Sequence, residues 1–171
     1  MKKELTNKQI FEIYLAIEAF PKSSIEIDVK THILLAFIKK NCEVTYNGIK
    51  NASKHSKEYI EYIKELKNIA SKFSKKDEKG KPVYKIEGSN TFFDIPEENK
   101  NSFLECKELL EKEYKEIIEK EEKRKEDLKL LLEEKQEIEI KSVKSSDFGG
   151  TLKDELSKDI ITALMPVFDD L

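Results

Sequence analysis

The fold of this chain is decided by residues 59–73, which read YIEYIKELKNIASKF. Apolar and aromatic side chains recur in steps of four and three, at Tyr59, Ile63, Leu66, Ala70 and Phe73. This spacing places them along one stripe of an α-helix, as in the seam of a coiled coil. The stretch therefore predicts a helix that packs lengthwise against another helix.

The same pattern continues on the N-terminal side and predicts one long helix over residues 28–76. The spacing is weak from Thr45 to Ser56, a stretch that contains the poor helix formers Asn47 and Gly48. Two alternatives are open here: the helix is continuous but kinked, or it breaks near Asn47–Gly48.

A second apolar seam runs from Phe103 to Leu131 and predicts a partner helix over residues 96–135. Opposite charges favour the pairing of the two helices. Residues 28–79 carry 12 basic and 7 acidic side chains, whereas residues 94–142 carry 11 basic and 17 acidic ones. The two seams satisfy each other within one chain or pair with a second copy in a homo-oligomer, and both alternatives are open.

Shorter elements are predicted around this helical pair. Residues 82–93 are typical of a β-hairpin, and the alternation over residues 137–143 predicts a third strand beside it. Thr6 and Gln9 fit a capping box that starts an N-terminal helix. Residues 151–168 predict a C-terminal helix with one apolar face.

The predicted fold class is therefore mainly α: an elongated, coiled-coil-like antiparallel helical hairpin with a small β element and flanking N- and C-terminal helices. We expect a single domain over residues 1–171. The composition agrees, because 39% charged residues and only five glycines disfavour a compact all-β or α/β fold. No stretch reaches the ~18–20 uncharged apolar residues of a transmembrane helix, so we expect no membrane partner.

The sequence contains no motif that indicates catalysis, a metal or a cofactor. His32 and His55 lack the spacing of metal ligands, and there is no phosphate-binding or dinucleotide-binding glycine pattern. Cys42 and Cys106 are far apart in sequence, and we interpret them as reduced packing residues. A disulfide between them would require their helices to lie side by side. We therefore expect a non-enzyme.

Four charged or aromatic residues are candidates for binding a partner. Tyr59 and Tyr62 lie among lysines, an arrangement that can stack single-stranded bases but that helix–helix packing also explains. Lys123 and Arg124 lie within residues 119–127, nine consecutive charged side chains that form a solvated helix surface or an exposed tip.

Two apolar candidates lie near the C-terminus. Leu164 and Phe168 share the apolar face of the predicted last helix, which packs into the core or docks on a partner protein. Nucleic acid is not favoured as a partner, because the net charge is −3 and Arg124 is the sole arginine.

The order of segments resembles a family of small bacteriophage proteins found among tail and virion-morphogenesis genes. The residues that carry the resemblance are Leu5–Ile10, Ala36–Asn41, Lys76–Val83, Phe103 with Leu109 and Leu110, Gln136–Ile140, Ser146–Phe148 and Ala163–Pro166. The resemblance covers nearly the whole chain and implies no catalytic residue.

Two functions follow from the resemblance and from the lack of catalytic motifs. The first is a phage structural or assembly protein that binds virion or assembly components, in the host cytoplasm or in the virion itself. The alternative is a phage inhibitor that binds a host defence protein and occludes it, with the acidic residues 111–139 resembling nucleic acid in charge.

Overall fold

A computed structural model describes residues 2–19, 29–141, 143–144 and 158–168. The chain divides into two compact units. Unit 1 consists of Met1–Lys54 and Glu126–Leu171, and unit 2 consists of His55–Lys125. The single domain predicted for residues 1–171 stays a prediction.

The described residues are mainly helical, which confirms the predicted class, and the predicted β-hairpin is present. The elements are β1 (Lys2–Thr6), α1 (Asn7–Ala19), α2 (Val29–Ala52), α3 (Lys57–Phe73), β2 (Tyr84–Glu87), β3 (Asn90–Phe93), α4 (Glu97–Glu113), α5 (Lys115–Glu133), β4 (Lys135–Glu139) and α6 (Lys158–Leu164). A 3₁₀ turn over Met165–Val167 follows α6. None of the described helices is both long and apolar enough to cross a membrane.

Unit 1 has its core where α1, α2, α6 and the strand pair β1–β4 meet. The core side chains are Leu5, Ile10, Ile13, Ala16, Ile17, Leu35, Ile38, Cys42, Ile138, Ile140, Val143, Leu164, Val167 and Phe168. The isoleucines of α1 recur at intervals of three and four, so that one face of the helix is apolar and is buried against α2.

The capping box predicted at the start of α1 is confirmed. The Thr6 backbone N–H donates to Gln9 Oε1 at 2.9 Å, and the Gln9 backbone N–H donates to Thr6 Oγ1 at 3.2 Å. These two bonds satisfy N–H groups that have no partner inside the helix.

The prediction of a three-stranded sheet is wrong. The strand predicted over residues 137–143 is present as β4, but it pairs with β1 in antiparallel register, with Leu5 opposite Gln136. The hairpin β2–β3 forms a separate two-stranded sheet. Opposite charges across the β1–β4 pair support this register, since Lys2 Nζ lies 3.1 Å from Glu137 and Lys135 Nζ lies 3.2 Å from Glu4.

Of the two alternatives for the helix over residues 28–76, the break is correct, but it does not lie at Asn47–Gly48. Asn47 and Gly48 are inside α2, and the chain leaves the helix instead at residues 53–56. Ser56 starts α3 there, because its Oγ accepts a hydrogen bond from the Tyr59 backbone N–H at 3.0 Å. Burial of Ile49 one residue beyond Gly48 stabilises α2 across the weak stretch.

The predicted long helical pair is therefore built from shorter helices. The segment predicted as a helix over residues 96–135 is interrupted at Tyr114, between α4 and α5. In unit 1, α2 packs against α1, and in unit 2, α3 packs against α4. Of the C-terminal helix predicted over residues 151–168, the part 151–157 lies outside the described residues, and the α-helix ends at Leu164.

Asn7 joins three elements of unit 1. Its Nδ2 donates to the Leu131 carbonyl at 2.7 Å, and its Oδ1 accepts from Gln136 Nε2 at 2.6 Å. Its backbone N–H donates to the Glu134 carbonyl at 2.8 Å. The Asn7 side chain is buried, and its two side-chain bonds are partly shielded from water.

Replacing Asn7 by alanine should lower the free energy of unfolding by about 1–3 kcal/mol, because the Leu131 carbonyl and the Gln136 amide lose a buried partner. Urea unfolding followed by circular dichroism measures this change. Asn47→Ala is the matched control, since Asn47 is exposed and should change stability by no more than about 0.5 kcal/mol. Equal effects of the two substitutions would contradict the role of Asn7.

Candidate protein-interaction surface

Unit 2 contains an open groove between α3, β3 and α4, with a volume of about 380 Å³. Its lining residues are Leu66, Lys67, Ala70, Thr91, Phe92, Phe93, Ile95, Phe103 and Lys107. The stripe predicted on α3 supplies Leu66 and Ala70, and the facing helix supplies Phe103. The groove is therefore apolar inside and carries two lysines. We refer to it as the apolar groove.

One wall of the apolar groove depends on Asp94, which follows β3. The Asp94 carboxylate lies 3.2 Å from Lys75 Nζ and 3.0 Å from Lys85 Nζ. The hydrogen bond from Lys85 is the main cause that lowers the pKa of Asp94. Its backbone N–H donates to the Val83 carbonyl at 2.9 Å. These contacts hold the base of the hairpin against the end of α3.

The end of α3 and the start of α4 are joined directly as well. Asn99 Nδ2 donates to the Phe73 carbonyl at 2.9 Å, which satisfies a carbonyl that has no partner inside α3. The Phe73 and Phe103 rings meet edge to face, with centroids 6.4 Å apart. The two helices that line the groove are thus fixed at the end near the hairpin.

The hairpin β2–β3 exposes large apolar side chains beside the apolar groove. Phe92 is 50% exposed and Ile86 is 78% exposed. Tyr84 lies opposite Phe93 in the register, and their ring centroids are 4.9 Å apart. Tyr84 and Ile86 lie on one face of the hairpin and Phe92 lies on the other, because successive side chains of a strand alternate. Exposed apolar side chains beside an apolar groove are typical of a surface that binds another protein.

The two lysines of the apolar groove, Lys67 and Lys107, differ in their surroundings. Lys107 Nζ lies 3.4 Å from Glu111 one helical turn later, whereas Lys67 is exposed on α3. The long aliphatic parts of both side chains can cover apolar surface while the ammonium groups remain in water. A ligand with apolar groups at its centre and carboxylates at its edge matches this distribution.

A row of rings lies elsewhere in unit 2: Tyr59 and Tyr62 are on α3, His55 lies shortly before α3, and Tyr114 lies between α4 and α5. The ring centroids of His55 and Tyr59 are 5.2 Å apart, those of Tyr59 and Tyr62 are 5.7 Å apart, and those of Tyr62 and Tyr114 are 5.6 Å apart. Lys125 Nζ lies 5.9 Å from the Tyr59 centroid. Burial raises the pKa of Tyr62, as expected for a ring inside a helix interface.

Glu121, like Asp94, is a buried acid of unit 2. Its carboxylate accepts from Arg124 Nε at 2.9 Å and from Arg124 Nη2 at 2.5 Å, and it lies 2.7 Å from His55 Nδ1. The hydrogen bonds from Arg124 are the main cause that lowers the pKa of Glu121 to about 2. A carboxylate held ionised by a bidentate guanidinium is a structural anchor, because its acceptor sites are already occupied.

The six predicted partner-binding residues differ in how accessible the structure leaves them. Tyr62, Leu164 and Phe168 are buried, and the last two belong to the core of unit 1, so these three present no surface to a partner. Arg124 is used in binding Glu121, and Tyr59 lies under Lys125.

Lys123 is exposed on α5, as predicted for a charged helix surface. Sequence reasoning missed the apolar groove altogether. The only signal in the sequence that could have indicated the groove is the position of Lys67 and Lys107 beside apolar seam residues. The seam residues by themselves predict a surface that is covered by another helix.

The described residues include no group of three or more His, Cys, Asp or Glu side chains that could hold a metal ion. His32 is exposed on α2, and both cysteines are free thiols. Cys42 belongs to the core of unit 1, and burial raises the pKa of its thiol to about 12.

The two cysteines should react at different rates. Cys106 is only partly buried, whereas the Cys42 thiol is inaccessible and protonated at neutral pH. Iodoacetamide should therefore label Cys106 roughly tenfold faster or more, as measured by peptide mass spectrometry. Labelling in urea is the control, because both thiols should then react at similar rates. Faster labelling of Cys42 in the folded chain would contradict its position in the core.

Glu121 should make stability depend on pH below neutrality. Its folded pKa of about 2 is below the ordinary value of 4.5, so its contribution is complete above about pH 5 and is lost as the pH falls toward 2. Glu121→Gln should flatten that acid decline and cost about 1–3 kcal/mol at pH 7, measured by urea unfolding at a series of pH values. Glu122→Gln, at an exposed neighbour, should retain the decline of the unmodified chain. The same acid decline in both variants would contradict the assignment.

Comparison of the chain with protein-family models, with curated proteins and with solved structures gave no match. The resemblance of its segments to small bacteriophage proteins stays a prediction. The surface of the described residues is therefore the physical basis from which a function can be proposed.

Proposed function

We propose that this protein is a non-catalytic structural or assembly protein of a bacteriophage, which acts by binding other proteins. The observation that carries the proposal is the apolar groove in unit 2, together with the exposed apolar side chains Ile86 and Phe92 beside it. Phage context comes from the resemblance of the segments, and the groove supplies the means of binding.

The chemistry of the groove favours a protein ligand. Its volume of about 380 Å³ is sufficient for a few apolar side chains, and aromatic residues such as Phe92 and Phe93 are enriched at the centres of protein interfaces. Lysines at the edge add selectivity for the charge of the partner. The groove is open rather than enclosed, which suits a segment of polypeptide better than a small substrate.

The polar clusters of the described residues support a non-catalytic role. Glu121 is bound by Arg124 and lies against His55, and Asp94 lies between Lys75 and Lys85. An acid or base in catalysis needs a protonation site that substrate can reach. These carboxylates instead hold elements of unit 2 together.

The alternative proposal is a phage inhibitor that binds a host defence protein by occlusion. The observation that favours it is the charge of α4, which carries six glutamates and three lysines. Glu105 and Glu108 are exposed on this helix, and such carboxylates can compete with nucleic acid for a basic surface.

Affinity purification from phage-infected cells tests both proposals. The tagged chain should retain virion or assembly proteins, and Phe92→Ser should lower their recovery at least about tenfold, which corresponds to about 1.4 kcal/mol of binding free energy. Val44→Ser is the matched control, because Val44 is 83% exposed but belongs to unit 1 and does not line the groove.

The identity of the retained proteins decides between the two functions. Virion components that depend on Phe92 support an assembly role. A host nuclease whose retention falls with salt and does not depend on Phe92 would overturn that role in favour of inhibition. Retention of neither class would contradict both.

A further inference from the structure

The α4 helix has two different sides. One side contributes Phe103 and Lys107 to the apolar groove. On another side, Leu109 is 66% exposed, although it is an aliphatic residue in the middle of a helix. The α3–α4 packing therefore leaves an apolar side chain of α4 uncovered.

Two carboxylates flank that exposed leucine. Glu105 precedes Leu109 by one helical turn and Glu113 follows it by one turn, and both are exposed. Residues four apart lie on the same face of a helix, so the three side chains form one row about 12 Å long. We refer to residues Glu105, Leu109 and Glu113 as the acidic row.

We propose that the acidic row of one copy of this chain binds in the apolar groove of a second copy. Leu109 would enter the apolar interior, and the two glutamates would face the lysines at the groove edge. This inference rests on the proposed function, because it names a partner for the groove to which that function is assigned.

Charge complementarity is the argument for this partner. The groove carries Lys67 and Lys107, of which Lys107 also lies 3.4 Å from Glu111 of its own helix, whereas the row carries two carboxylates with a single apolar side chain between them. Such pairing favours the correct encounter and disfavours contact of two grooves or of two rows, which carry like charges.

The geometry also determines the kind of assembly. At about 100° per residue, Leu109 lies about 120° around the α4 axis from Phe103 and about 160° from Lys107, on the side of the helix away from the groove. The two binding surfaces of one copy are therefore different surfaces. Contacts of this type join copies head to tail and form a ring or an open chain instead of a two-fold dimer.

Sedimentation velocity of the purified full chain over micromolar to millimolar concentrations is the first test. We expect reversible association that weakens as sodium chloride is raised from about 0.05 M to about 0.5 M. Leu109→Ser should weaken association at least about tenfold. Leu130→Ser is the matched control and should leave association unchanged, because Leu130 is 64% exposed but lies outside the acidic row.

A charge exchange makes the test specific. One variant reverses the groove (Lys67→Glu with Lys107→Glu), and the other reverses the row (Glu105→Lys with Glu113→Lys). Each variant alone should remain monomeric, because its groove and its row then carry the same charge. An equimolar mixture should associate, since every groove then meets a row of opposite charge. Circular dichroism verifies that both variants retain their helices.

Three results would overturn the proposal: a wild-type chain that stays monomeric at millimolar concentration, association that Leu109→Ser leaves unchanged, or a mixture that remains monomeric. Purified chain alone is used, so the outcome does not depend on any phage component. Failure of self-association would leave co-purification of virion proteins intact, and failure of co-purification would leave self-association intact. The two proposals can therefore fail separately.

Discussion

The ion pairs of Asp94 are the constraint on which the binding surface of this protein depends. A two-stranded hairpin of four residues a strand is marginal in water, and β2–β3 exposes most of its own side chains. Two lysines, Lys75 just after α3 and Lys85 on β2, both contact the Asp94 carboxylate. Backbone hydrogen bonds from Lys75 to the Asp94 carbonyl and from Val83 to the Lys75 carbonyl add to this attachment. Together these contacts hold the hairpin beside α3 and α4 as the third wall of the groove.

Unit 1 is held together by different means. Its core is a continuous set of aliphatic side chains from both ends of the chain, and its polar contacts are concentrated around Asn7 and Gln136. Gln136 Nε2 also lies 2.6 Å from Thr45 Oγ1, so a single amide is shared between residues of α1 and α2. A small number of hydrogen bonds, partly buried at Asn7, thus helps to fix the register of elements that hydrophobic burial alone would leave free to slide.

The sequence predicts the helices well because their signals are local. Seam spacing identifies α3, and the pair Thr6–Gln9 identifies the start of α1 to within one residue. The sequence predicts poorly which elements pack or pair with each other, because such pairing depends on residues that are distant in the chain. Residues Lys2–Thr6 carry no pattern that predicts a strand by themselves. They form β1 by pairing with β4, which lies about 130 residues later in the chain.

The candidate surface illustrates the same limit. Leu66, Ala70 and Phe103 were correctly predicted as apolar seam residues, but a seam pattern cannot show that the hairpin leaves part of it open. Conversely, three of the four charged and aromatic residues predicted to bind a partner are used inside unit 2. Arg124 binds Glu121, Tyr59 lies under Lys125, and Tyr62 is buried. The sequence could not predict how exposed each side chain is, because exposure depends on how the chain packs.

The way the chain is divided between the units bears on the order in which it folds. Unit 2 is one continuous stretch, His55–Lys125, whose contacts close short loops. Unit 1 needs residues from before and after that stretch, so its strand pair has a large loop to close. During synthesis the second half of unit 1 leaves the ribosome after unit 2, and we expect unit 2 to be folded before β1 has its partner strand.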